Sequence, residues 1–246
     1  MRVGTTVRAR VRAELTREIL DAARRQLAEG GAATLSLRAV ARSLDMAPSG
    51  LYRYFRGRDD LLTALIIDSY EAVGAAATIA DGTIEVADHL GRWIAVTDAI
   101  WAWGHDHPHE WALVYGSQVP RYRAPEETIA AAFVVTGVLT GIIADAAATG
   151  RLAPAVSLPL SDPDLGRNLD GLRPLLGDLH EDHLVAGVLA WSQIFGLISL
   201  DLFGHLEGGI HHPEALWRQV MAVNAHLVGL RPVAATTPSF PIPPAV

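Results

Sequence analysis

Apolar residues recur at steps of three and four along most of this chain, the spacing that lines up one face of a helix. Leu15, Ile19, Ala22, Ala23 and Leu27 mark a first helix near residues 11–28, closed by Gly30 and Gly31. Leu37, Val40, Ala41 and Leu44 mark a second over about 36–43, with the Ser36 hydroxyl placed to cap it. Leu44, Asp45 and Met46 form a turn, and a short third helix covers about 47–54. Pro48 suits its first turn, where a missing N–H costs nothing. Gly57 caps a fourth helix running to about residue 77, and Asp59 and Asp60 favour its positive N-terminal end.

The remaining pattern predicts helices over about 84–105, 108–115, 128–149, 178–203 and 213–229, with a loop over 116–125. Residues 151–177 hold Pro154, Pro159, Pro163 and Pro174 and read as a long irregular loop. Asp178 and Glu181 have capping-box spacing and open the helix that follows. Residues 231–246 are a Pro-rich tail, expected to lack fixed structure. No alternating strand pattern and no internal repeat appears, so the expected fold is all-α. Uncharged stretches at 128–144 and 184–200 are each 17 residues long. That is short of the roughly 20 a membrane span needs, and we read both as core helices.

Composition changes this picture in two ways. Cys is absent from the 246 residues, so there is no disulfide and no thiolate ligand or nucleophile, which fits a reducing cytoplasm. No apolar run follows the N-terminal arginines, so no secretion signal is expected. Charge is more informative. The net charge is −7, and Lys is absent. Residues 1–60 nevertheless carry 12 Arg against 7 acids, and residues 61–246 carry 8 Arg against 20 acids. A basic head on an acidic body points to nucleic acid at the basic end and turns the body away from it.

The head carries the chemistry for such a partner. Ala47, Pro48, Ser49 and Gly50 are small and let a backbone come close to a grooved surface. Tyr52, Arg53 and Tyr54 follow, all able to donate to phosphate oxygens. Two short helices around a tight turn match a helix-turn-helix whose second helix enters a major groove. Thr34 or Ser36, Tyr52 and Tyr54 are expected to hold phosphates, which position but do not specify. Arg38, Ala47, Pro48, Ser49 and Arg53 are candidates for base edges. Leu37, Val40, Leu44, Leu51 and Phe55 are assigned to the core. Arg2, Arg8, Arg10 and Arg12 lie in or beside a flexible arm over residues 1–10, which is either a solvated tail or an additional DNA contact.

Ser36, Arg38, Val40 and Ala41, then Ser49, Gly50, Leu51, Tyr52, Tyr54 and Phe55, then Arg58, Asp60, Leu61 and Leu62 form a pattern. It resembles the DNA-binding head of the tetracycline-repressor (TetR) family of bacterial transcription regulators. One departure is Arg58, where that family usually has Lys. The resemblance implies a phosphate contact for Arg58. It also implies a head over 1–60, a helical ligand-binding and dimerisation body over 61–230, and a homodimer on a palindromic DNA operator. A small-molecule effector would release it, with no cofactor. Trp191 and Gly196 further resemble a Trp-His-Gly signature of one branch of the family, with Phe195 in place of the His.

In the body, Trp93, Trp101, Trp103, Trp111, Tyr115, Phe133, Trp191 and Phe195 are either ordinary core or the aromatic wall of an effector pocket. Leu184 and Val188 on one predicted helix, and Trp217, Val220, Asn224 and Leu227 on the next, are candidates for a dimer interface. His105, Asp106, His107 and His109, with His180, Glu181 and His183, have ligand chemistry but sit at helix ends, where His and Asp commonly cap; we assign no metal. Residue spacing gives no paired acid and base or nucleophile, so an enzyme is not expected. The remaining alternative is a DNA-binding activator or architectural protein without an effector.

Overall fold

The computed structural model describes residues 7–154, 164–173 and 179–232, and those residues hold helices and turns without a strand. Helix α1 (Val7–Gly30), a 3-10 turn (Ala32–Thr34), α2 (Leu37–Ser43) and α3 (Pro48–Leu51) build the head. Helix α4 (Arg58–Asp81) leaves the head and runs into the body. There it meets α5 (His89–Asp106), α6 (Pro108–Tyr115), α7 (Glu127–Ala132), α8 (Val134–Ala148) and α9 (Leu165–Leu169). A 3-10 turn (Asp170–Leu172), α10 (Glu181–Leu202) and α11 (Pro213–Leu227) complete the body.

Two hydrophobic cores divide the chain. Ile19, Leu27, Leu37, Val40, Leu51 and Phe55 gather in the head around Leu61, Leu62, Leu65 and Ile66 of α4. Val73 and Ala77 of the same helix belong to the body core, with Trp93, Ile100, Ile142 and Ile198. Close approach of α4 and α8 depends on Gly74: a Cβ there would lie 2.5 Å from Val134 Cγ1. Gly229 has φ 92° and lies against the Ala153 carbonyl, so the chain after α11 can pair with residue 153 only through a glycine.

Several expected boundaries move. Helix α1 begins at Val7, so Arg8 and Arg10 are helical, not part of an arm. Helix α4 continues four residues past 77 to Asp81, and α5 starts at His89 instead of 84, because Asp88 accepts the Gly91 N–H at 2.9 Å. The single helix expected over 128–149 is two, meeting at Phe133, whose ψ of −5° departs from helical geometry. Helix α10 is capped by His180, whose ring Nδ1 accepts the Asp182 N–H at 3.3 Å. The 151–177 loop contains α9 and a 3-10 turn. Arg2 and the arm over 1–6, loop residues 155–163 and 174–177, Asp178, and the tail over 233–246 lie outside the described residues.

Helices α4 and α10 are long and apolar enough to cross a membrane by length and composition. Each contributes buried side chains to the cores above.

Arg92 fastens three helices. Its side chain is buried; Nε and Nη2 donate to Asp81 at 2.7 and 3.0 Å, and Nη1 donates to Asp145 at 2.8 Å. The ends of α4 and α8 are thereby fixed to α5. Removing a partner from a buried pair costs more than the pair contributes, because the remaining charges lose their compensation. With both carboxylates partly solvated, Arg92→Ala is expected to lower stability by about 2–4 kcal/mol in urea denaturation. Asp145→Asn, at a half-exposed position, is expected to cost about 1 kcal/mol or less. Equal losses would show that Arg92 is not the common anchor.

Candidate nucleic-acid interface and effector cleft

The helix-turn-helix is set by three local features. Ser36 precedes α2 in an extended conformation, but its hydroxyl makes no capping bond. Its N–H instead donates to Gln26 Oε1 at 3.2 Å, tying α2 to α1. Asp45 takes φ 53°, a left-handed turn that Asp tolerates, and the Met46 N–H returns to the Ala41 carbonyl at 2.9 Å. Pro48 then starts α3. The helix expected over 47–54 is regular only over Pro48–Leu51. Arg53 and Tyr54 donate to Gly50 and Leu51 through i→i+3 bonds, which tighten the last turn away from α geometry.

Burial sorts the expected residues. Leu37, Val40, Leu51 and Phe55 are core, and Leu44 is half-buried against it. Arg38, Ala47, Pro48, Ser49, Tyr52 and Arg53 are exposed together around the turn and α3. Gly50 is half-buried near Met46. Thr34 is exposed, its hydroxyl donating to the Gly31 carbonyl at 3.0 Å. Tyr54 is half-buried, with the Arg12 guanidinium 5.0 Å above its ring, a cation–π contact that residue spacing did not reveal. Arg58 is also half-buried. Its Nη2 donates to the Ala32 carbonyl at 2.8 Å, and Asp59 lies 3.5 Å away. So Nη2 of this guanidinium closes the head onto α4, while Nη1 pairs with Asp59.

A second feature lies in the body, a cleft of about 570 Å³ between α4, α6, α7, α8 and α10. Tyr115, Phe133, Trp191 and Phe195 line it. Trp93, Trp101, Trp103 and Trp111 do not. Trp93 and Trp111 are fully buried in the body core, and Trp103 nearly so. Trp101 lies against Trp217, centroids 4.6 Å apart and planes tilted by 36°. Trp111 donates its indole N–H to Ser199 Oγ at 3.0 Å and stacks behind Phe195 at 5.6 Å. Its role is to brace the cleft wall. Tyr70 of α4 and the hydroxyls of Thr136, Ser192 and Ser199 also line the cleft; sequence reasoning missed them, since Tyr70 sits on a helix that reads as a connector.

The histidines act as struts. His105 Nδ1 meets the Trp101 carbonyl at 2.9 Å, and its Nε2 lies 2.8 Å from Asp201 on α10. His107 stacks on Trp103, with its Nδ1 3.0 Å from the Trp103 carbonyl, and His183 Nε2 is 3.1 Å from the Ala153 carbonyl. Among the described residues, no three His, Asp or Glu side chains converge as a metal site would require.

Residues 93–224 match the family model described as "Tetracyclin repressor-like, C-terminal domain", more than half of the chain. This chain belongs to the TetR family. Residues 19–65 match the model for "Bacterial regulatory proteins, tetR family", over the head described above. HTH-type transcriptional regulators Rv1816 of Mycobacterium tuberculosis and Mb1846 of Mycobacterium bovis are each 35% identical to it over 205 residues. Those alignments cover 82% of this chain and 86% of each relative. The crystal structure of the regulatory protein SCO4313 aligns with a TM-score of 0.70 at 30% identity. It covers 90% of this chain and all of that one. The TetR-family chain is thus a transcriptional regulator with a DNA-binding head, and its relatives are not enzymes.

Within this TetR-family body, three of the residues expected at a dimer interface pack inside the single chain. Leu184, Trp217 and Asn224 are buried inside the single chain. Trp217 donates its indole N–H to Asp98 Oδ1 at 2.8 Å; Asn224 donates to the Ala190 carbonyl at 3.1 Å and Gln193 Oε1 at 2.8 Å. Trp217 thereby ties α11 to α5, and Asn224 ties it to α10. Val220 and Leu227 are half-buried, and Val188 is exposed. Exposed apolar residues on these two helices include Val188, Leu189, Trp191 and Leu200 of α10 and Val223 of α11, with Phe203 just beyond α10.

The two head arginines separate structure from recognition. Arg53→Ala removes an exposed side chain, and stability is expected to change by no more than about 0.5 kcal/mol. Arg58→Ala removes the bond to Ala32, and a loss of about 1–2 kcal/mol is expected. Paired thermal melts distinguish them; equal midpoints would mean that Arg58 does not latch the head.

Proposed function

We propose that this protein is a repressor that binds a palindromic operator as a homodimer and is released by a small-molecule effector in the body cleft. One observation carries the reading. Tyr70 in the cleft wall and Arg58 at the head belong to the same uninterrupted helix, α4. A molecule that fits the cleft in only one setting of α4 selects one setting of the head. Two heads related by two-fold symmetry must meet successive major grooves, so a small change in their spacing costs both contacts together. Effector and operator then oppose each other through one equilibrium, which is allostery between two sites and two states.

Arg38, Ala47, Pro48, Ser49 and Arg53 supply base contacts in this reading, with close backbone approach at Gly50. Thr34, Ser36, Tyr52, Tyr54 and Arg58 supply phosphate contacts. The exposed apolar residues of α10 and α11 meet their copies in the dimer. Such a protein works where the chromosome is, in the cytoplasm. An activator or architectural protein without an effector would need no cavity larger than a few waters in its body, and the cleft favours the first reading.

A fluorescence-anisotropy titration tests it, using a duplex from upstream of the protein's own gene beside a scrambled duplex at two salt concentrations. Tight binding that prefers the native sequence and weakens with salt is expected. Arg53→Ala is expected to weaken it about tenfold or more, in line with loss of a bidentate base contact. Absence of binding at low salt would overturn the assignment of the head. A bound cleft ligand that shifts operator affinity less than twofold would overturn the assignment of the cleft.

A further inference from the structure

Five aromatic rings stand in the cleft wall among small, apolar and hydroxyl-bearing residues. Tyr70, Tyr115, Phe133, Trp191 and Phe195 face it. The inner rings are held from behind and from the side. Trp111 lies nearly parallel to Phe195, with centroids 5.6 Å apart and planes at 16°. Tyr70 meets Tyr115 edge-on at 5.7 Å and 79°. Held this way, the rings offer flat faces to a flat occupant, the arrangement in which aromatic pairs gain beyond simple burial.

No Arg, His, Asp or Glu is among the described residues that line the cleft. Burial raises the pKa of both Tyr115 and Tyr70, so each phenol stays neutral. A carboxylate or ammonium placed against these rings would meet no counter-charge. Polar side-chain capacity is limited to the Trp191 indole N–H and to hydroxyls, which are not equivalent: the Tyr115 hydroxyl is buried without a partner among the described residues. Ser192 Oγ already donates to the Val188 carbonyl at 2.8 Å. Ser199 Oγ accepts the Trp111 indole N–H at 3.0 Å, and its own proton has no acceptor among the described residues. It is therefore a donor fixed in place by Trp111 and available to an occupant.

Helix α10 also leaves room. Gly196 lines the cleft, and a Cβ added there would meet nothing within 4 Å. A larger side chain there would project into the open space of the cleft.

We infer that the cleft takes a neutral, planar aromatic molecule with one hydrogen-bond acceptor, which lies among the rings, accepts from Ser199 Oγ and occupies the space left at Gly196. The inference rests on the reading of the cleft as the effector site and names what that site selects.

Calorimetric titration of the full chain with three two-ring probes tests it: chromone, chromone-2-carboxylate and naphthalene. Chromone is neutral and carries a carbonyl acceptor, its carboxylate adds a charge, and naphthalene lacks the acceptor. Chromone is expected to bind, and the carboxylate at least tenfold more weakly. Ser199→Ala is expected to weaken chromone about three- to tenfold, the range of one hydrogen bond, with naphthalene unchanged as a check on the wall. Gly196→Leu is expected to weaken both neutral probes at least tenfold without lowering the thermal midpoint, since leucine is the better helix former. Gly196→Ala, with a smaller intrusion, is expected to give a smaller loss.

Absence of chromone binding at millimolar concentration would overturn the inference, as would equal affinity for the carboxylate or indifference to Gly196→Leu. Chromone that binds as expected but leaves operator affinity unchanged would support the ligand class while overturning the effector reading.

Discussion

Leu65 and Val73 stand about two turns apart on α4, yet they pack in different cores. One face of this helix is therefore buried in the head and in the body alike. The head is closed onto its first turn by Arg58 and the Ala32 carbonyl. The body is closed onto its last turn by Asp81 and Arg92. Close-packed interiors deform little and shift between discrete arrangements. A helix shared by two such interiors transmits a displacement at one end to the other. Helix α6 repeats the device on a smaller scale, with Leu113 in the head core and Trp111 in the body core.

The size of the effect the helix must carry is modest. A hundredfold change in operator affinity corresponds to about 2.7 kcal/mol of difference between the two states. Burial of one aromatic ring in the cleft, favoured in one state over the other, is of that order. Electrostatics adds a bias in orientation. Basic residues concentrate in residues 1–60 and acids in the remainder. The field therefore favours approach of DNA to α3 and opposes it over the body.

Much of this was legible in the residues alone. Pro108 and Gly116 bracket α6 so tightly that its ends were fixed before any tertiary contact was known. The turn at Asp45 and the small residues after it marked the helix-turn-helix. What failed, failed for definable reasons. An apolar face on α11 says that the helix is covered, but not whether its own chain or a copy covers it; Trp217 and Asn224 turned out to close on Asp98 and Gln193 of the same chain. Aromatic content could not separate Trp93, deep in the core, from Trp191 at the cleft, because both follow helical spacing. Tyr70 and Ser199 were invisible as site residues, since only the crossing of α4, α6 and α10 brings them together. Local sequence encodes caps and faces; the choice of partner for each face is made by the whole chain.

The central claim is that α4 behaves as one body from head to cleft. Native-state hydrogen exchange along its amides, from Leu62 to Ala77, tests this most directly, because local opening reports the stability of each cooperative unit. The account requires protection to remain high and similar across Tyr70, with both halves opening in one step under rising denaturant. A break there, with the head half exchanging through a separate, much cheaper opening while the body half stays protected, would contradict it.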